Sequence, residues 1–164
     1  PVFYHFARLH PAIKFKVIRP AITKKFWPTI KVPENVEIYT GTIEEGLNEA
    51  IFAATCSGTA SLEVALLKVP QVVVYKANSV SLRIAKVFVK VKYFSLPNLI
   101  LNRPAITELL QKEVTPKRIS TVYVESIRAA SAVPYYEELM SALDDYSPGD
   151  KTAEELIDLV SSHQ

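Results

Sequence analysis

The sequence predicts an α/β fold: a parallel sheet with helices on both faces, followed by a helical C-terminal tail. Residues 50–55 (AIFAAT) and 71–75 (QVVVY) are continuous apolar runs of strand length, the pattern of strands covered on both sides. Between them lie a turn of small residues, CSGTA, and a helical spacing of Leu62, Leu66 and Leu67 that stops at Pro70. Strand, helix and strand in that order imply a parallel pair joined by a right-handed crossover. The 164 residues are 49% hydrophobic, enough to close one core in a single domain and too apolar for a disordered chain.

The opening PVFYHFARLH reads as a helix entered partway, with further sequence expected upstream, and Pro11 ends it. Residues 15–18 and 36–39 are short, β-branched and apolar, and read as strands. Thr42 is placed to cap a helix over residues 43–48, with Glu44 and Glu45 in the first turn where the helix dipole favours negative charge. After the QVVVY strand, a helix is expected over residues 79–91, then a loop, YFSLPNLILNRP, bracketed by Pro97 and Pro104. Thr115 followed by Pro116 opens a helix through Ile127, and two further helices fit residues 135–143 and 152–160. The expected organisation is a Rossmann-like domain over residues 1–129 followed by C-terminal helices over residues 130–164.

The net charge of +2 hides an asymmetry: 13 Lys and Arg against 6 Asp and Glu in residues 1–92, and 6 against 11 in residues 93–164. A basic face toward an anionic partner is expected from this, and nothing suggests nucleic acid. One cysteine, Cys56, excludes an internal disulfide framework and a cysteine-based zinc site. With no apolar run long enough to cross a bilayer, a cytoplasmic protein is expected.

In an open parallel sheet, ligands bind beyond the carboxyl ends of the strands, where a turn of small residues lets the backbone come close. Ser57, Gly58 and Thr59 form such a turn at a helix N-terminus, where free amides and the helix dipole attract an anion such as a diphosphate. Glu63, on the second turn of that helix, is placed to accept hydrogen bonds from ribose or sugar hydroxyls. From spacing alone, an equally good account makes Ser57 a simple cap, Gly58 a close-packing residue and Glu63 a solvated one. Nucleophilic roles for Ser57 or Cys56 lack a base, since His5, His10 and His163 lie near the chain ends.

The strings SGTASLEVALLKVPQVVVYK and SLPNLILNRPAITELLQ closely resemble the lipid-A-disaccharide synthase family. The family pattern is met in order at residues 57–63, 70–76, 95–98, at Arg103 and at residues 108–111, and TPKRI and SPGDKTAEELIDL fit its flanks. The upstream glycine-rich and PGSR-type segments and the acceptor-binding N-terminal domain of that family are missing, and residues 130–164 match loosely. The resemblance implies one half of a GT-B fold, a Rossmann-like domain that binds the UDP-sugar donor. It implies transfer of a diacylglucosamine unit from UDP-2,3-diacylglucosamine to the 6-hydroxyl of lipid X, with inversion, without metal or other cofactor. It assigns Ser57, Gly58 and Thr59 to the diphosphate and Glu63 to hydroxyls, with Asn98, Arg103 and Gln111 lining the cleft. Without the family, Asn98 reads as a turn residue and Gln111 as a solvated helix position. The general base is expected in the missing domain, so the isolated chain is expected to be inactive, and a homodimer is compatible with the family.

The 79–91 helix carries Arg83, Lys86 and Lys90 as one cationic stripe among Leu82, Ile84, Val87, Phe88, Val89 and Val91. Such a helix suits the headgroup region of an anionic membrane, which would place the protein on the inner face of the inner membrane; a wide core-facing helix with solvated charges fits slightly better. Two alternatives stay open: an enzyme similar to UDP-sugar 2-epimerases, and a non-catalytic module that docks on membranes.

Overall fold

The computed structural model describes residues 2–19, 31–56, 58–76, 92–129 and 135–144. The helices expected over residues 79–91 and 152–160, with Arg83, Lys86 and Lys90, lie outside the described residues, as does Ser57. The described elements run α1 (Val2–Leu9), β1 (Phe15–Arg19), β2 (Val36–Thr40), α2 (Ile43–Gly46), β3 (Ala53–Cys56), α3 (Thr59–Leu66), β4 (Gln71–Tyr75), α4 (Leu96–Ile100), β5 (Thr107–Leu110), α5 (Pro116–Arg128) and α6 (Tyr136–Asp144). A 3-10 turn, Gln111–Glu113, follows β5.

Among the described residues the strand pairings are parallel, as the apolar runs lead one to expect. β1 pairs with β2, Val17 opposite Ile38, in one sheet. A second sheet has the order β3-β4-β5, with Cys56 opposite Val74 and Tyr75 opposite Leu110. The fold is thus α/β and Rossmann-like, with helices at the C-terminus.

β4 explains why both faces must be covered. Val72 and Val74 enter a cluster with Phe6 of α1, Leu109 of β5, and Val114, Ile119 and Val122 at and along α5. Val73 points the other way, to Ala65 of α3, Ile106, Tyr135 and Leu139 of α6. Each buried Val or Leu contributes about 1.5–3 kcal/mol, so these two clusters hold the sheet. A third, of Ala53, Val64 and Val69, joins β3 to α3. On the outer layer, His10 Nε2 meets the Ser120 hydroxyl at 3.1 Å and ties α1 to α5.

Caps follow the sequence where they were legible. The Thr42 hydroxyl accepts from the Glu45 amide at 3.2 Å and the Thr115 hydroxyl from the Arg118 amide at 3.3 Å. α2 stops at Gly46, two residues before the expected end. The segment expected as a loop between Pro97 and Pro104 holds α4 instead. Proline in a first turn loses no helical hydrogen bond, and the N-terminus of α4 is closed by a carboxylate from β5, a partner too distant in sequence to be read locally. β5 itself, only TELL, was not expected.

Candidate functional site

β3 ends at Cys56 and β4 at Tyr75, and β5 ends at Leu110, so Cys56, Gly58, Thr59, Tyr75, Lys76, Leu110 and Gln111 share the carboxyl edge of the sheet. α3 starts there. Its N-cap is Gly58, with φ 119° and ψ −158°, a backbone state that residues with a Cβ rarely adopt. A Cβ built on Gly58 would meet nothing within 4 Å, so the turn opens outward and is not packed against its neighbours.

The amides of Gly58, Thr59 and Ala60 have no acceptor among the described residues. The next one is used: the Ser61 amide and hydroxyl both donate to the Gly58 carbonyl, at 3.1 and 2.7 Å. That leaves an unpaired group of donors at the positive end of a helix, which suits an anion. Beneath the turn, the Thr55 hydroxyl donates to Gln71 Oε1 at 2.9 Å and Gln71 Nε2 donates to the Ser61 carbonyl at 2.8 Å. All three side chains are buried, so this polar layer fixes the start of α3 against both strands. Burial pushes the nearby Tyr135 phenol up; the Gln71 amide opposes that rise without reaching hydrogen-bond geometry, and the phenol oxygen has no partner among the described residues.

The other sequence-derived candidates fall in different places. Thr59 is exposed at the start of α3, and Glu63 is exposed on its next turn. Gln111 follows β5 at the same edge with φ 52° and is half-buried, in a 3-10 turn and not in the helix its surroundings suggested. Asn98 is 1% exposed, and its amide is committed: Nδ2 donates to the Ile106 carbonyl at 2.8 Å and to Glu108 Oε1 at 2.9 Å, while Oδ1 accepts the Ile106 amide at 2.8 Å. It borders an open cavity of about 320 Å³ with Tyr93, Pro104, Ile106, Thr107 and Glu108. Arg103 precedes β5 by four residues, at the amino end of that strand. Its guanidinium grips the Glu138 carboxylate of α6, which raises the already high Arg103 pKa and lowers that of Glu138. The structure thus gathers Gly58, Thr59 and Gln111 at one edge and leaves Arg103 at the other.

Glu108 was visible in the sequence only as a letter in ELLQ. Its carboxylate accepts the Phe94 amide at 3.0–3.1 Å, the Ser95 amide at 2.9 Å, the Ser95 hydroxyl at 2.8 Å and Asn98 Nδ2 at 2.9 Å. This is why Ser95, the N-cap of α4, does not cap with its own hydroxyl. The same carboxylate holds Phe94 where its ring stacks on Tyr75, centroids 5.5 Å apart and planes 25° apart. No three His, Cys, Asp or Glu side chains come together to hold a metal ion among the described residues.

A family model described as lipid-A-disaccharide synthetase matches residues 10–146. The chain is similar to the lipid-A-disaccharide synthase of Synechocystis sp., 32% identical over 150 residues, which are 86% of this chain and 36% of that protein. It is 38% identical over 93 residues to the lipid-A-disaccharide synthase of Colwellia psychrerythraea, covering 57% of this chain and 24% of that protein. It is 45% identical over 84 residues to that of Psychromonas ingrahamii, covering 51% of this chain and 22% of that protein. The chain therefore spans about a third or less of the length of these relatives.

Proposed function

This chain belongs to the lipid-A-disaccharide synthetase family, and from that premise we propose that it is the donor-binding portion of a glycosyltransferase of lipid A biosynthesis. The donor is UDP-2,3-diacylglucosamine and the acceptor lipid X. In the transfer the bond from sugar C1 to the β-phosphate oxygen breaks, and a bond from C1 to the acceptor 6-oxygen forms with inversion. The hydroxyl proton passes to a base outside this chain, and UDP leaves. Gly58, Thr59 and Ser57 take the diphosphate, and Glu63 takes hydroxyls of ribose or sugar.

One observation carries this reading: three successive amides, of Gly58, Thr59 and Ala60, have no acceptor among the described residues where α3 begins, at a glycine with open space in front of it. Such donors act on the charge that grows on the departing diphosphate, with no protein reorganisation. Acylated substrates call for work at the cytoplasmic face of the inner membrane. Among the described residues no helix is long and apolar enough to cross a membrane.

The single, exposed Cys56 makes the test simple, because it stands two residues before Gly58. UDP is expected to bind saturably and to slow alkylation of Cys56. Gly58→Val, forced into a backbone state hostile to β-branched residues, should weaken UDP by about tenfold or more, the loss of one or two charge-assisted hydrogen bonds. Glu63→Ala should weaken it less. Absence of saturable binding, or binding indifferent to both substitutions, would count against the proposal.

A further inference from the structure

The stacked pair Tyr75 and Phe94 has no part in the account of the diphosphate, and its position gives it one. Side chains of a strand alternate between faces, so Tyr75 shares the face of Val73, the one covered by α3 and α6, and not that of Val72 and Val74. The ring therefore rises on the same side of the sheet as α3 and at the same carboxyl edge as the turn that starts it. Cys56 lies opposite Val74, so with adjacent strands about 4.8 Å apart, Gly58 and Tyr75 are on the order of 10 Å apart along the backbone.

Both rings are half-buried, and the Tyr75 hydroxyl finds no hydrogen-bond partner among the described residues. Phe94 is not free to drift: the Glu108 carboxylate holds its amide and that of Ser95. A fixed, partly wet aromatic ledge that carries a hydroxyl is the kind of surface that takes a hexopyranose, whose axial C–H bonds present an apolar face to a ring while its hydroxyls bond outward. A sugar attached to a diphosphate seated at Gly58 lies within reach of it.

We propose that Tyr75 and Phe94 form the hexose subsite of the donor, beside the diphosphate turn. This rests on the reading given under Proposed function, and the experiment separates the two. The probes are UDP and UDP-N-acetylglucosamine, titrated against the chain by calorimetry. The wild-type chain is expected to bind the sugar nucleotide about three- to tenfold more tightly than UDP, the scale of one good aromatic contact. Tyr75→Leu should remove that advantage and leave UDP itself within about twofold; Phe94→Leu should do the same and serves as the second variant if the first is poorly folded. A wild-type chain that gains nothing from the sugar overturns the subsite while leaving the UDP site standing. Substitutions that weaken both probes equally, or leave the ratio intact, overturn it too. A chain that binds neither probe overturns both readings.

Discussion

The two sheets are both parallel and are held by different forces. In β4, four consecutive residues are buried and each face has its own cluster; in β1 and β2 no residue reaches full burial, and Ile38 is 36% exposed. The three-stranded sheet is held by transfer of apolar surface. The two-stranded one meets that apolar core through Phe15 of β1 and is otherwise held by local fasteners: Asn35 Nδ2 reaches the carbonyls of Ala7, His10 and Ile13 at 2.9, 3.1 and 3.0 Å, Lys16 lies over the Tyr39 ring, and the Tyr39 hydroxyl donates to Glu45. Gly46 makes room for this, since a Cβ there would fall 2.6 Å from Ile18. Parallel strands can therefore stay paired without both faces being sealed, provided that polar contacts fix their ends.

The largest contrast is expected in matched truncations. Leu109→Ala, at a site with no exposure, should cost about 3 kcal/mol or more in denaturant unfolding, whereas Ile38→Ala should cost under about 1 kcal/mol. Similar losses at both sites would show that the two sheets are equally sealed and break the comparison.

Next in size is Asn35→Ala, which removes one fastener at the end of α1. It is expected to cost about 1–2 kcal/mol and to speed amide exchange in β1 and β2 ahead of β4. Uniform faster exchange would mean that the sheets open together.

The smallest effect is a pH dependence. The Glu45 carboxyl is held below the ordinary carboxylate value, first by the Tyr39 hydroxyl and then by Thr42, and the Tyr39 phenol is pushed up, first by its hydrogen bond to Glu45. A depressed carboxyl gives its stabilisation above the unfolded value and loses it as pH falls through the lowered one; a raised phenol loses its part as pH rises through the raised one. Wild type and Tyr39→Phe should thus differ slightly in melting temperature near neutrality and converge in acid below the ordinary carboxylate range. A difference that persists there would assign it to packing of the ring.

Much of this was legible locally. Apolar runs gave the parallel strands, Thr42 and Thr115 announced their helices, and SGTA announced the turn with its outward-facing glycine. What stayed hidden depends on partners distant in sequence. Glu108 cannot be read as the cap of α4 without knowing that β5 runs beside it, and Gln71 cannot be read as the brace of the α3 turn without the Thr55 and Ser61 contacts. Asn98 and Arg103 look like cleft residues in a motif, while their polar groups are engaged by Ile106, Glu108 and Glu138. The letters carry the chemistry of a side chain but not which neighbour has already claimed it.

The grip of Glu108 on residues 94–98 also bears on recombination between relatives. A breakpoint anywhere from 99 to 107 would join the serine and asparagine of one parent to the acidic residue of another. Shuffled genes cut there should yield soluble product only when both parents supply the matching pieces, so hybrid libraries are better split before residue 93 or after the 3-10 turn.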